Sequence, residues 1–194
     1  MSNPCAEKKR LREQLRERRR ALGEQGQARA AEALTDGLAK LPFWPAANHC
    51  ALYLPTDGEI ATQALADKCR HLGQSLYLPV ITEQKRLEFA LWEPDVALVR
   101  NRYGINEPPP DAQRIPVSEL DIIFLPLVGW DRAGGRLGMG GGYYDRSLAG
   151  QLGPQLVGLA HTCQEIPQVP RETWDVLLDY VVTDSGLHKC RPGA

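Results

Sequence analysis

The sequence predicts an α/β fold, in which helices pack against a largely parallel central sheet. Segments with the apolar pattern of strands alternate with segments of helical period, which is typical of parallel α/β proteins. The most apolar segment, DIIFLPLV at residues 121–128, is short and β-branched, so it indicates a central strand. A glycine-rich segment follows it directly. The 194 residues suit a single domain, predicted over residues 1–194.

The predicted elements follow one another along the chain. Leucines at helical spacing indicate a helix over residues 6–22, and an alanine-rich stretch that ends before Pro42 indicates a second over about 25–40. Residues 101–118 are predicted to be a functional or mobile loop, and residues 185–194 a flexible tail. The remaining predicted helices are 59–72 and 143–149, and the strands are 51–54, 76–80, 87–92, 121–128, 155–160 and 180–182.

Composition excludes several classes of protein. A formal net charge of -1 gives no general attraction to nucleic acid or to an acidic membrane. The five cysteines form no C-x-x-C pair, which argues against a zinc site or a disulfide framework and favours a reducing compartment. No apolar run approaches the roughly 20 residues that span a bilayer. We therefore expect a cytoplasmic monomer that binds small molecules, with no nucleic-acid or membrane partner.

The glycine-rich segment, GGRLGMGGGYYDR at residues 134–146, is the strongest functional signal. Glycines allow positive φ and let backbone amides approach a ligand closely, so a glycine loop between a strand and a helix can hold an anion. Arg136 adds a guanidinium fork suited to phosphate oxygens, and Asp145 can hold magnesium. Neither the Walker nor the Rossmann pattern is present. The alternative is a flexible surface loop, which the preceding strand, Arg136 and the pair Tyr143-Tyr144 disfavour.

The predicted N-terminal helix is strongly basic. Between Glu7 and Arg20 lie eight basic and three acidic residues. This run can contact nucleic acid, or bind phosphate through Lys8 and Arg12 on one helical face, or form a solvated face stabilised by ion pairs. Charge alone favours the solvated face. No aromatic residue interleaves with the basic residues, which argues against binding of single strands.

Other polar residues give weaker signals. Glu59 follows the first predicted strand, where ligands gather in α/β folds, but it also suits the start of a helix. Asp175, Asp179 and Asp184 lie near the last strand, and their spacing alone favours surface charge over metal binding. The histidines have no metal-ligand spacing, and no G-x-S-x-G nucleophile motif is present.

Four motifs in order resemble the 5-formyltetrahydrofolate cyclo-ligase family, and the resemblance covers residues 8–184. They are KKRLR at residues 8–12, EIAT at 59–62, GINEP at 104–108 and GRLGMGGGYYD at 135–145. The chain differs from the family pattern in carrying Trp130 where phenylalanine is frequent and Gly141 where some members have lysine. Asp175 lies in a less regular context, Trp-Asp-Val.

The resemblance implies a three-layer α/β/α fold and an enzyme that converts 5-formyltetrahydrofolate to 5,10-methenyltetrahydrofolate with ATP and magnesium. It implies that Arg136 is catalytic, that Asp145 and Asp175 bind magnesium, and that the folate contacts Leu54, Glu59, Tyr103, Met139 and Tyr143. The implied ATP-binding residues are Lys8, Lys9, Arg10, Leu11, Arg12, Arg136, Leu137, Gly138, Met139, Gly140, Gly141, Gly142, Tyr143 and Tyr144. A nucleotide-binding module without catalysis and an RNA-binding protein remain as alternatives.

Overall fold

The fold is seen in a computed structural model that describes residues 4–190. The helices are α1 (Pro4–Arg20), α2 (Gly23–Leu38), α3 (Gln63–His71) and α4 (Tyr143–Leu148). The strands are β1 (His49–Ala51), β2 (Ser75–Ile81), β3 (Leu87–Leu91), β4 (Val99–Arg100), β5 (Asn106–Glu107), β6 (Arg114–Ile115), β7 (Ile122–Pro126), β8 (Gly129–Trp130), β9 (Arg136–Leu137), β10 (Gln155–Leu159), β11 (Tyr180–Thr183) and β12 (Gly186–Lys189).

Eight of these strands form one sheet, in the order β12-β11-β10-β7-β1-β2-β3-β6. The five central strands, from β11 to β2, are parallel. Antiparallel strands form both edges of the sheet, with β12 on one side and β3 and β6 on the other. The predicted α/β class with a largely parallel sheet is therefore confirmed. The pairs β4–β5 and β8–β9 form two small hairpins beside the main sheet.

Helices cover both faces of the sheet, in three layers. Side chains alternate along β7: Ile122 and Phe124 face the cluster that contains α2 and α3, whereas Ile123 and Leu125 face the cluster that contains Leu148 of α4. These four of the five residues of β7 are at most 1% exposed. This double burial explains why the segment is uniformly apolar. The helix α1 packs over a third, smaller cluster, through Leu15.

Three predicted boundaries are wrong. The helix α3 begins at Gln63, with Thr62 as its N-cap, rather than at residue 59. The predicted flexible tail is a paired strand over Gly186–Lys189, and residues 191–194 lie outside the described part. The predicted loop over residues 101–118 contains the two short strands β5 and β6.

The topology places a crevice at one edge of the sheet. From β1 the chain crosses over to β2 on one side, whereas β7, on the other side of β1, leads on to β10 and β11. Ligands of open α/β sheets bind beyond the carboxyl ends of the strands at such a switch point. Within residues 4–190, no helix combines the length and the apolar character needed to cross a bilayer.

Candidate active site

A cavity of about 920 Å³ opens at this switch point, near the upper end of the range of about 300–1,000 Å³ for small-molecule sites. Tyr53 and Leu54 line it beyond the end of β1, and Leu127 and Val128 line it beyond the end of β7. The glycine segment forms one wall, and α1 and the β4–β5 hairpin contribute to the rest. Its lining includes Lys8, Arg12, Leu54, Glu59, Asn101, Ile105, residues 136–146, Trp174 and Asp175.

The glycine segment does not follow the central strand β7 directly, as the sequence indicates, because β8 lies between them and pairs with Arg136–Leu137 of the segment, which form β9. The buried carboxylate of Asp131 holds the turn between β8 and β9. One oxygen of Asp131 accepts hydrogen bonds from the N–H groups of Ala133 and Gly135, both at 2.9 Å, and the other accepts one from Val169 at 2.8 Å. Arg136 therefore projects from a strand that is fixed in place.

Two positions of the segment require glycine, because their φ values are positive and, at Gly140, because a side chain lies close by. Gly140 has φ 97°, and a Cβ there would lie 3.2 Å from Cζ of Arg12. Gly142 has φ 65° and immediately precedes α4. The helix α4 has only six residues, so its dipole contributes little to anion binding. The positive charge of this wall comes from side chains and loop amides instead.

Three cationic side chains line the cavity at this wall: Lys8 and Arg12 from α1, and Arg136 from the glycine segment itself. Arg12 donates from Nε to the carbonyl of Gly138 at 2.8 Å, which joins α1 to the glycine segment. Lys8 lies 3.2 Å from Asp175. The Arg136 side chain is only 5% exposed, and its guanidinium stacks over the ring of Tyr144 at 5.5 Å. Its buried Nε has no hydrogen-bond partner among the described residues, so this donor is available to an anion in the cavity.

Asp145 and Asp175 line the same cavity and are the candidate magnesium ligands. Asp145 pairs with Arg136 and accepts the N–H of Val176 at 3.2 Å. Residues 4–190 contain no group of three or more acidic, histidine or cysteine side chains placed to hold a metal. Two carboxylates nevertheless fit magnesium, because this ion is usually held by one or two carboxylates together with substrate phosphates and water.

The opposite side of the cavity carries Glu59, whose side chain is 8% exposed. Its carboxylate accepts the N–H of Thr56 at 3.0 Å. Burial raises the pKa of Glu59, and this hydrogen bond opposes the rise only in part. Burial also raises the pKa of Tyr144, on which Arg136 and Glu59 act with opposite sign. Tyr144 therefore lies within electrostatic reach of both sides of the cavity.

Exposed apolar side chains surround the cavity. Ile105, Met139 and Trp174 are 43%, 55% and 66% exposed and all line it. Exposed apolar groups clustered at a cavity mark a binding site for a ligand with apolar surface. Tyr103 is 49% exposed and is not part of the lining. Its neighbour Tyr143 does line the cavity, and a hydrogen bond that the Tyr143 hydroxyl donates to Tyr103 raises the pKa of Tyr143.

The structure separates the five residues of the KKRLR motif. Lys8 and Arg12 reach the cavity, whereas Lys9 and Arg10 are exposed to solvent and do not line it. Leu11 packs against the apolar cluster under α1. Successive residues of a helix point in directions about 100° apart, so a consecutive motif cannot present all its side chains to one ligand. The other predicted site residues, Tyr103 excepted, line the cavity.

The basic run of α1 is largely engaged within the protein. Five of its eight cationic side chains donate hydrogen bonds to carboxylates or backbone carbonyls: Lys8, Arg12, Arg16, Arg19 and Arg20. A face whose charges are already paired offers few free contacts to a nucleic-acid backbone. The arrangement therefore favours the phosphate-binding and ion-pair interpretations over an RNA surface.

Sequence reasoning did not single out several residues at the site. Asp131 supports the glycine segment, Arg19 is fully buried below Glu59, and Trp174 lines the cavity. The available signal for Asp131 was its place directly after Trp130, between the predicted strand over 121–128 and the glycine-rich segment. Arg19 gave no signal, because it lies in a run of arginines that all resemble surface charges.

Comparison with known proteins points to one family. The family model of the 5-formyltetrahydrofolate cyclo-ligases matches residues 4–184. A 5-formyltetrahydrofolate cyclo-ligase of Escherichia coli (strain K12) is 39% identical over 176 residues, which are 88% of this chain and 97% of the relative. One from Mycolicibacterium smegmatis is 32% identical over 183 residues, which are 91% of this chain and 93% of the relative. The NMR structure of Aquifex aeolicus 5,10-methenyltetrahydrofolate synthetase matches with a TM-score of 0.84 at 31% identity, covering 96% of this chain and 94% of that one.

Proposed function

The chain belongs to the 5-formyltetrahydrofolate cyclo-ligase family, and on that premise we propose that it converts 5-formyltetrahydrofolate to 5,10-methenyltetrahydrofolate with ATP and magnesium. ADP and phosphate are the other products. The observation that carries this proposal is one cavity with two different sides. One side has cations, glycine amides and carboxylates, and suits a nucleoside triphosphate. The other has Leu54, Glu59 and apolar residues, and suits a reduced folate.

The chemistry follows from the substrate. A formamide carbonyl is a poor electrophile, because its nitrogen donates electrons into it. We propose that the formyl oxygen attacks the γ-phosphorus of ATP, so that ADP leaves. The neighbouring folate nitrogen then attacks the activated carbon, the C–O bond breaks, and phosphate departs with that oxygen and with the proton that the attacking nitrogen loses. No side-chain nucleophile takes part, so the protein acts by positioning the two substrates and stabilising phosphate charge.

Each residue of the cavity has a role in this proposal. Arg136 is the catalytic residue, with its unpartnered Nε directed to the transferred phosphoryl group. Lys8 and Arg12 bind ATP phosphates together with the glycine segment, whereas the exposed Lys9 and Arg10 do not. Asp145 and Asp175 hold magnesium, which when bound neutralises phosphate charge. Glu59, Leu54, Met139 and Tyr143 contact the folate, with Tyr103 supporting Tyr143.

The proposal is tested by turnover. The purified chain is mixed with 5-formyltetrahydrofolate, ATP and magnesium chloride, and the absorbance of the methenyl product is followed. Product should form only when all three are present, with one phosphate released per product. ATP binding without product would identify a nucleotide-binding module without catalysis and would overturn the proposal.

Trp174 provides a direct test of where ligands bind. It is 66% exposed, whereas Trp44 and Trp130 are at most 2% exposed and Trp92 is half-buried under the guanidinium of Arg70. We expect a ligand in the cavity to shield Trp174 from water, and therefore to change its fluorescence intensity and shift its emission to shorter wavelength.

The measurement is a fluorescence titration with ATP and, separately, with 5-formyltetrahydrofolate, with correction for their absorption. Trp174→Phe should abolish the change, and Trp92→Phe, which removes a tryptophan away from the cavity, should keep it. A ligand-induced change that survives in Trp174→Phe would place the bound molecule elsewhere.

A further inference from the structure

One aspartate and three arginines form a cluster between α1 and the turn that follows β1. We call Arg16, Arg19, Arg20 and Asp57 the Asp57 cluster. Arg16 and Arg19 donate to one carboxylate oxygen of Asp57, at 2.7 and 2.8 Å, and Arg20 donates from Nε to the other at 2.7 Å. Burial raises the pKa of Asp57, but the hydrogen bonds from Arg16, Arg20 and Arg19 outweigh it and lower the pKa to about 2. The carboxylate therefore stays ionised at physiological pH.

Arg19 distinguishes this cluster from ordinary surface ion pairs. Its side chain is 0% exposed. Besides the carboxylate, Arg19 donates to the backbone carbonyl of Asp57 at 2.8 Å and to that of Leu127, at the end of β7, at 3.2 Å. It also lies 4.0 Å from the carboxylate of Glu59. One buried guanidinium thus lies against the turn that follows β1, the residue just after β7 and the carboxylate proposed to contact the folate.

The turn that the cluster holds is a strained one. Asp57 and Gly58 are consecutive residues with left-handed φ, and aspartate seldom adopts this conformation. His161 adds one more restraint, because its Nε2 donates to the carbonyl of Gly58 at 3.1 Å. Glu59 follows directly. The carboxylate of Glu59 is held locally by Thr56, but the turn that carries both residues is held mainly by α1, through Asp57.

The helix α1 carries the proposed nucleotide cations as well. Lys8, Arg12, Arg16 and Arg19 recur at spacings of three or four, so they lie along one face of the helix. The first half of this face reaches the glycine segment through Arg12, and the second half reaches the Asp57 turn. A rigid helix therefore connects the two sides of the cavity.

We propose that the Asp57 cluster positions α1 and Glu59 relative to each other, and so couples the binding of the nucleoside triphosphate to that of the reduced folate. This inference rests on the proposed function. When phosphates hold Lys8 and Arg12, the helix is fixed, and through the cluster Glu59 is fixed for the folate. Coupling between two ligands is reciprocal, so the folate must tighten nucleotide binding by the same factor. The cluster residues are positioning residues that touch neither substrate.

The test compares Asp57→Asn with Asp67→Asn, which removes the same charge from an exposed ion pair with Arg70 on α3. Calorimetry measures the Kd of a non-hydrolysable β,γ-imido ATP analogue with magnesium chloride, without and with saturating 5-formyltetrahydrofolate. We expect the folate to lower this Kd about fivefold or more in the wild-type chain and in Asp67→Asn. In Asp57→Asn the ratio of the two values should fall close to one.

A merely structural role would lower the melting temperature of Asp57→Asn and leave the ratio of Kd values unchanged, which would overturn the inference. Absence of coupling in the wild-type chain would do the same. If Asp57→Asn does not fold, Arg16→Gln replaces it, since that side chain is 34% exposed and removes one hydrogen bond only; its ratio should fall between the two extremes. If the wild-type chain forms methenyl product but shows no coupling, this inference fails while the proposed function stands.

Discussion

Replacing Arg136 with alanine should lower kcat by about 10²–10⁴-fold, because it removes a preorganised and almost fully buried positive charge from the proposed phosphate site. The side chain is 5% exposed, and its Nε is free of partners within the described part of the protein. While the guanidinium stays paired with Asp145, its Nε can therefore donate to the phosphoryl group, and solvent would replace this donor poorly. The loss should be seen in kcat at saturating substrates, with product absorbance as the readout.

The fold should survive this substitution. Asp145, the ion-pair partner of Arg136, is 24% exposed and can be hydrated when the arginine is absent, so the free energy of unfolding should fall by only about 1–3 kcal/mol. Arg132→Ala is the matched control, because Arg132 lies on the same hairpin but is 69% exposed and pairs with Glu165 at the surface. Arg136→Lys should fall between the two, since it keeps the charge and loses the fork. A kcat for Arg136→Ala close to that of Arg132→Ala would remove Arg136 from catalysis.

Replacing Asp131 with alanine should have the largest effect on stability, lowering the free energy of unfolding by about 3–5 kcal/mol. Its carboxylate accepts three backbone N–H groups, and their loss leaves buried donors that each cost about 1–3 kcal/mol when unpaired. The turn before Arg136 should loosen as well. We therefore expect the KM for ATP to rise in any fraction that remains folded.

Urea unfolding followed by circular dichroism measures the first effect, and initial rates at varied ATP measure the second. Asp111→Ala, at an exposed position, is the control and should stay within about 0.5 kcal/mol of the wild type. Asp131→Asn keeps the shape and one acceptor oxygen, so its loss should be smaller than that of the alanine variant. Equal stability of Asp131→Ala and Asp111→Ala would show that the turn does not depend on this carboxylate.

The parts of the fold that could be predicted are those whose signal is local. The central strand β7 is apolar at every position because both its faces are covered, and the glycines before α4 are needed for their backbone angles. The place of Glu59 after the first strand fitted either a ligand contact or the start of a helix, and in the structure Glu59 lines the cavity. In each case the residue type at one position carries the information.

The parts that could not be predicted depend on partners distant in sequence. The strand β12 has no clear apolar alternation and forms because the edge of β11 offers it hydrogen bonds. Arg19 resembles its neighbours in the basic run, and only the approach of Asp57 makes it a buried residue. The KKRLR motif shows the same limit. Lys9 and Arg10 belong to the same motif as Lys8, but only Lys8 lines the cavity.

The strand order also has a consequence for how the chain folds as it is synthesised. β1 can pair with β2 early, but its other neighbour, β7, follows only after β3 to β6 have been made. One edge of β1 therefore stays unpaired until β7 is made, and one edge of β7 stays unpaired until β10 is made. Folding with such distant pairings is slow and leaves apolar strands exposed to other chains. We expect the nascent chain to need protection from aggregation until its last third has left the ribosome.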